Sequence, residues 1–257
     1  MRLPKAGAKP ETTADNERNP AQGRVMLYAV RADRPLPRDL HRRFYAICSP
    51  ARRDRLQRFA REEDARRSLL AEMLLRAALR KDWQTSGSPA SLDFEENRYG
   101  KPSLRGAARL QFNLSHSGDW CVCAVAESAV GIDVEQIRQQ ELDWADKLLA
   151  DDEKAELLAL TGYDRLKRFY EIWTLKESYV KALGRGLSHG LSTFSVTAAS
   201  LGALAPYRAA GYWLDDSHPA AVCAMGGLPQ LWAILSPFDI WSLLDHEIEA
   251  MRGECGE

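Results

Sequence analysis

The chain runs twice through one order of elements, a strand, then helices, then several strands, and this repeat constrains its fold more than any other feature. Val25-Met26-Leu27-Tyr28-Ala29-Val30 predicts a buried strand. Residues 39–81 are helical in pattern, most clearly from Asp64 to Lys81, where Leu69, Leu70, Met73, Leu74 and Ala77 recur at helical spacing. Short strands follow at 92–95 and where Leu110, Phe112 and Leu114 alternate with Arg109, Gln111 and Asn113. A turn over Ser115–Asp119 leads into Trp120–Ala126, an almost wholly apolar strand. The second round opens with a strand at Val130–Glu135 and one or two helices over 142–160. A longer helix over 164–183 carries Phe169, Ile172, Trp173, Tyr179, Val180 and Leu183, and strands are predicted at 193–197, 207–214, 220–225 and 231–235. Glu72-x-x-x-Arg76-Ala77 is echoed by Glu177-x-x-x-Lys181-Ala182, although any helix favours acid–base pairs at that spacing. The element order is the stronger sign. It predicts an α+β fold of two similar lobes joined near residue 128, with a ligand in the cleft between them. The expected bounds are a disordered tail over 1–24, lobes at 25–127 and 128–236, and a C-terminal extension over 237–257.

Charge narrows the function. Thirty-five basic residues stand against thirty-six acidic ones, a formal charge of −1, which argues against a protein devoted to nucleic acid or to a membrane surface. A local basic patch remains compatible with that balance. No apolar run reaches the ~18 residues of a membrane span, and the first 24 residues lack the apolar core of a signal peptide. The five cysteines, at 48, 121, 123, 223 and 255, contain no CxxC pair. They read as reduced thiols of a cytoplasmic protein, with no zinc site.

Four segments carry candidate chemistry. In Val130-Gly131-Ile132-Asp133-Val134-Glu135, strand alternation puts Asp133 and Glu135 on one face, ~7 Å apart. Such a pair can grip a hard divalent cation, or simply form the solvated side of an amphipathic strand. Glu177 and Lys181 lie one helical turn apart. They fit either a surface ion pair or a third carboxylate beside a phosphate-binding lysine, with Lys176 as a second, and Mg²⁺ suits such a set because it needs few carboxylates. Phe112-Asn113-Leu114-Ser115-His116-Ser117-Gly118 is a strand entering a polar turn, able to hold an anion or to serve as a plain hairpin. Ala51–Arg61 holds five arginines and one acid. It is a phosphate clamp or a solvated helix face. Tyr99-Gly100-Lys101-Pro102 adds a lysine in a stiffened turn.

Together these segments resemble one family, the 4′-phosphopantetheinyl transferases, in particular the long, monomeric, surfactin-synthetase-activating type. The resemblance rests on Gly100-Lys101-Pro102, the Phe112–Gly118 and Val130–Glu135 segments, Trp173-Thr174-Leu175-Lys176-Glu177-Ser178-Tyr179-Val180-Lys181-Ala182, and Gly184-Arg185-Gly186-Leu187-Ser188. Ser49–Arg55 and Phe59–Leu70 also look alike, so about residues 25–235 are covered.

The resemblance implies a pseudo-dimer within one chain whose active site lies between the lobes. It implies a cytoplasmic monomer that transfers 4′-phosphopantetheine from coenzyme A to a serine of acyl or peptidyl carrier proteins, without nucleic-acid or membrane partners. Asp133, Glu135 and Glu177 would hold Mg²⁺, with Mn²⁺ as an alternative. Glu177 would be the base, assisted by Lys181. Arg52, Arg55, Arg67, Lys101, Ser115, His116, Lys176 and Lys181 would bind coenzyme A. Arginine stands at 52 and 55 where relatives often carry lysine, so the 3′-phosphate contacts there are expected to differ. The loop after the Lys176–Glu177 helix, with Arg185 and His189, would border the carrier-protein site. Two other readings compete: a catalytically silent coenzyme A-binding module, and a nucleic-acid binder using the 51–67 arginines. The complete acidic set opposes the first, and the neutral total charge without interleaved aromatics opposes the second.

Overall fold

A computed structural model describes residues 24–83, 92–107, 109–140, 142–184, 190–229 and 232–254. The expected tail therefore lies outside the described residues except for Arg24. The first sheet has the order β4-β5-β1-β9, built from β1 (Val25–Arg31), β4 (Gln111–Ser117), β5 (Trp120–Ala126) and β9 (Trp232–Leu235). β5 runs antiparallel to both β1 and β4, while β2 (Phe94–Glu96) and β3 (Pro102–Leu104) form a separate antiparallel hairpin. The second sheet has the order β6-β8-β7, from β6 (Val130–Val134), β7 (Tyr207–Asp215) and β8 (His218–Met225), with β8 antiparallel to both neighbours. The opening strand of each round thus pairs with the last of its hairpin, β1 with β5 and β6 with β8. Two lobes of like topology result, as the repeated element order predicts.

β1 and β5 are apolar at nearly every position because both faces of their sheet are covered. Tyr28, Val30, Cys121, Cys123 and Val125 point into a core shared with α1 (Arg38–Ile47), α2 (Pro50–Gln57) and α3 (Glu62–Trp83). Leu27, Ala29, Val122 and Ala124 point the other way and meet Val130, Ile132, Val134, Val222 and Ala224 of the second sheet. The lobes therefore join sheet to sheet through a largely apolar layer, each buried Val or Leu contributing about 1.5–3 kcal/mol. A third core packs α4 (Asp151–Leu158) and α5 (Gly162–Leu183) on the far side of the second sheet.

Three local outcomes differ from the sequence expectation. The turn expected over Ser115–Asp119 shrinks to Gly118 and Asp119, because Ser115, His116 and Ser117 continue β4 in register with Val122, Cys121 and Trp120. No strand forms over 193–197. The polar–apolar alternation there is real, yet Val196 N–H donates to Glu153 Oε1 and Phe194 O accepts from Lys176 Nζ, so side chains replace a sheet ladder. The one or two helices expected over 142–160 are present, as a 3-10 turn, Asp143–Lys147, and α4. Lastly, β9 falls within the bounds expected for the second lobe but pairs parallel with β1 of the first sheet. α6 (Pro237–Glu254) follows it onto the first lobe, burying Ile240 and Leu244 in the core of α1 and α3.

Candidate active site

The site forms where β4 and β6 lie side by side without a main-chain ladder. Asn113, Ser115 and Ser117 alternate on one face of β4, and all three reach β6. Asn113 Oδ1 accepts from Ile132 N–H at 2.9 Å, Ser115 Oγ donates to Asp133 Oδ1 at 2.8 Å, and Ser117 Oγ donates to Glu135 Oε2 at 2.8 Å. Asp133 and Glu135 share the opposite face of β6 from Ile132 and Val134, as alternation requires. That face meets α5. Gly131 is obligatory at the crossing: a Cβ there would stand 2.1 Å from Ser178 O and 2.3 Å from Ala182 N. The close approach brings Glu177 and Lys181, one turn apart on α5, over the carboxylates.

Lys181 Nζ lies 2.6 Å from Asp133 Oδ1 and 3.1 Å from Ser115 Oγ. Asp133 is 3% exposed, and its other oxygen, Oδ2, is buried without a hydrogen-bond partner. Glu177 Oε1 is likewise buried and unpartnered. Glu177 is held above the usual carboxylate range by desolvation and then by Asp133, and Glu135 adds to the effect. Glu135 is raised for the same reasons, burial first and Asp133 second, against hydrogen bonds that favour its charge. Three carboxylates thus crowd one another with a single ammonium among them. Among the described residues no cluster of three His, Cys, Asp or Glu is drawn tightly enough to hold a metal ion by itself. The donor chemistry still suits a hard cation: two buried carboxylate oxygens lack partners, and mutual repulsion favours added positive charge.

A cavity of about 680 Å³ adjoins this cluster. Lys181, Ser115 and His116 line it, as do Arg52 and Arg55 of α2. The first lobe supplies nearly all of its wall, with Lys181 coming from the second. Ser49 caps α2 by accepting from Arg52 N–H, and Pro50 opens the helix, so the Ser-Pro-Ala-Arg sequence fixes where both arginines start. His116 is exposed to the cavity, but its concave walls strip away water. That desolvation, then the charge of Arg67, holds the imidazole pKa below its ordinary value.

The expected ligands divide into those near the cavity and those turned away. Arg52 lines it while donating to Glu72 and to Ser68 at 2.8 Å, and Arg55 lines it while pairing with Glu96 at 3.2 Å. Arg67 is largely buried against Asp64 and donates to Gly118 O. Lys176 does not fit the expected phosphate contact. It is 0% exposed, and its ammonium is taken up by Glu153 at 2.8 Å, Leu191 O and Phe194 O. The Lys101 ammonium is also turned away, donating to Val130 O at 3.0 Å, Lys181 O at 2.8 Å and Ala182 O. Arg185 and His189 lie outside the described residues. Sequence reasoning missed Asn113, Ser117, Glu72 and Glu153. The continued alternation through Asn113-Leu114-Ser115-His116-Ser117 was a signal for the first two, but α4's approach to Lys176 left none.

Comparison with known proteins places this geometry. Residues 129–225 match the family model of the 4'-phosphopantetheinyl transferase superfamily, and residues 34–128 match that of the 4'-phosphopantetheinyl transferase N-terminal region. The 4'-phosphopantetheinyl transferase Sfp of Bacillus subtilis (strain 168) is 34% identical over 208 residues, covering 78% of this chain and 92% of that protein. The chain belongs to the 4′-phosphopantetheinyl transferases. It is an enzyme of the Sfp-like type, a transferase of the 4′-phosphopantetheine group. The 4'-phosphopantetheinyl transferase gsp of Aneurinibacillus migulanus is 34% identical over 62% of this chain and 67% of its own length. A phosphopantetheinyl transferase of Thraustochytrium sp. (strain ATCC 26185 / S-3) is 33% identical over 67% and 65%. The boundary between the two family matches falls at residues 128 and 129, between β5 and β6.

Proposed function

We propose that this transferase takes 4′-phosphopantetheine from coenzyme A and places it on a serine of an acyl or peptidyl carrier protein. The observation that carries the reading is the meeting of the polar cavity residues Lys181, Ser115 and His116 with the three crowded carboxylates. Coenzyme A would lie along the cavity, its adenosine 3′-phosphate towards Arg52, Arg55 and His116. Each arginine has five N–H donors, so phosphate contacts can add to those with Glu72 and Glu96. Asp133, Glu135 and Glu177 would hold Mg²⁺, or Mn²⁺, which when bound neutralises pyrophosphate charge.

Lys181 adds a further positive charge and fixes Ser115 and Asp133 in one hydrogen-bonded set. Glu177 is the proposed base. Its raised pKa, caused by burial and then by Asp133, makes the carboxylate a better proton acceptor than a solvated glutamate. The serine oxygen forms its bond to the β-phosphorus as its proton passes to Glu177. The bond to adenosine 3′,5′-bisphosphate breaks, and that group leaves with the electron pair. Positioning and charge stabilisation suffice for such a transfer.

Arg185 and His189, which follow α5 in the chain, are proposed to border the acceptor's docking surface. A monomer in the cytoplasm is the proposed state. The enzyme's four described cysteines, buried and free, fit a reducing compartment. Mass spectrometry of an apo carrier protein incubated with the enzyme, coenzyme A and Mg²⁺ tests the reading. The phosphopantetheine increment on one serine is expected, and an unmodified carrier across several carrier classes would overturn it.

A further inference from the structure

We propose that Lys101 is a positioning residue, a latch from the first lobe that sets the spacing of β6 and α5 and hence of Asp133, Glu177 and Lys181. Its ammonium stands where three main-chain carbonyls converge, Val130 O from β6 and Lys181 O and Ala182 O from the last turn of α5. These are the residues beside the Gly131 crossing, where strand and helix backbones nearly touch. The same loop grips the helix a second time. Asn97 Nδ2 donates to Gly184 O, while Asn97 Oδ1 accepts from the N–H groups of Tyr99 and Lys101 and so shapes the loop.

The last carbonyls of a helix have no intrahelical donor and carry partial negative charge, so a cation placed on them is favourable. Only the charged amine has three N–H donors for three acceptors. The loop continues into Pro102, and Glu96 precedes it, and both line the cavity. The latch therefore ties the cavity wall to the helix that carries the base. Lys101 is expected from the family resemblance to contact coenzyme A, but here its charge is used inside the protein.

Burial lowers the Lys101 pKa to about 8, and the titratable group facing it is Cys223 of β8, whose thiol is pushed up to about 12 and stays neutral. Lys101 is thus charged near neutral pH and loses its third donor just above it.

The inference rests on the transfer reaction proposed above, and modification of the carrier by the wild-type enzyme tests that reaction separately. For the latch, Lys101→Met is compared with wild type by calorimetric titration of coenzyme A and by single-turnover transfer. Coenzyme A affinity within about twofold is expected, with the transfer step slowed roughly tenfold to hundredfold by misplacement of the base. The decline of the wild-type rate above about pH 8 should be absent from the variant. If Lys101→Met does not fold, Asn97→Ala, which frees Gly184, should give the same split on a smaller scale. A tenfold loss of coenzyme A affinity with an unchanged transfer step would return Lys101 to the phosphate ligands. Unchanged affinity and rate in a merely less stable protein would make it a structural residue only. Either result overturns the proposal.

Discussion

Glu177 holds the central tension of the site. Its folded-state pKa is raised, so the native protein prefers it protonated, and that preference is fully present below the ordinary glutamate range and lost as pH rises through the raised value. Above that raised value the ionised side chain therefore costs stability. Glu177→Gln should raise the melting temperature at neutral pH, with the gain fading towards about pH 4, while transfer nearly ceases. Melts of the two proteins across that range check it, and a lower neutral-pH melting temperature for the variant would refute the crowding described here. Lys176 is the opposite case. Lys176→Met strands Glu153 without its buried partner, a loss of about 3–5 kcal/mol. Urea unfolding should read that loss while coenzyme A affinity of the folded fraction stays near wild type. The two residues adjoin in sequence and differ in legibility for a physical reason. Asp133, Glu135 and Glu177 follow from strand and helix periodicity, which fix the face each side chain takes. The fate of Lys176 depends on where α4 packs, and no local pattern encodes that.

At the scale of elements, periodicity found α3, α5 and the paired strands of both sheets, left α6 as an unassigned extension, and failed where backbone groups are satisfied by something other than a ladder. Residues 193–197 alternate as a strand should, but Glu153 and Lys176 supply their partners. The pairing of β4 with β6 through Asn113, Ser115 and Ser117 is the same device used at the active site. The crossing of β6 and α5 depends on one missing side chain. Gly131→Ala would push backbone against backbone, since the atoms nearest to the new Cβ are main-chain atoms of α5. A loss of about 1–3 kcal/mol is expected from such overpacking. Transfer should fall more than folded content, because the strand and helix forced apart carry the acids. Circular dichroism beside a transfer assay separates the two, and activity per folded molecule equal to wild type would show that the spacing is not critical.

For the whole molecule, two like lobes were readable from element order because each needs its own strand–helix–strand run to cover a sheet. The return of β9 and α6 was not readable. A strand of four residues carries no sign of which sheet edge it will join, and the apolar side chains of α6 suit any exposed helix face. Deleting residues 237–257 would uncover the part of the first core that Ile240, Leu244 and Trp241 now close. We expect a lower melting temperature and binding of a dye that reports exposed apolar surface. An unchanged melt would show that the first lobe is complete without this segment.

The same return has a consequence for how the chain is made. Synthesis delivers β1 and α3 first and β9 and α6 last, with the entire second lobe in between. At about 5–20 residues per second, the nascent first lobe waits on the order of ten seconds with one sheet edge unpaired and part of its helix layer bare. An open strand edge is a template for pairing with another chain. Yield during production should therefore respond to whatever covers that edge in the interval, a chaperone or a lower temperature, more strongly than the stability of the finished enzyme would suggest.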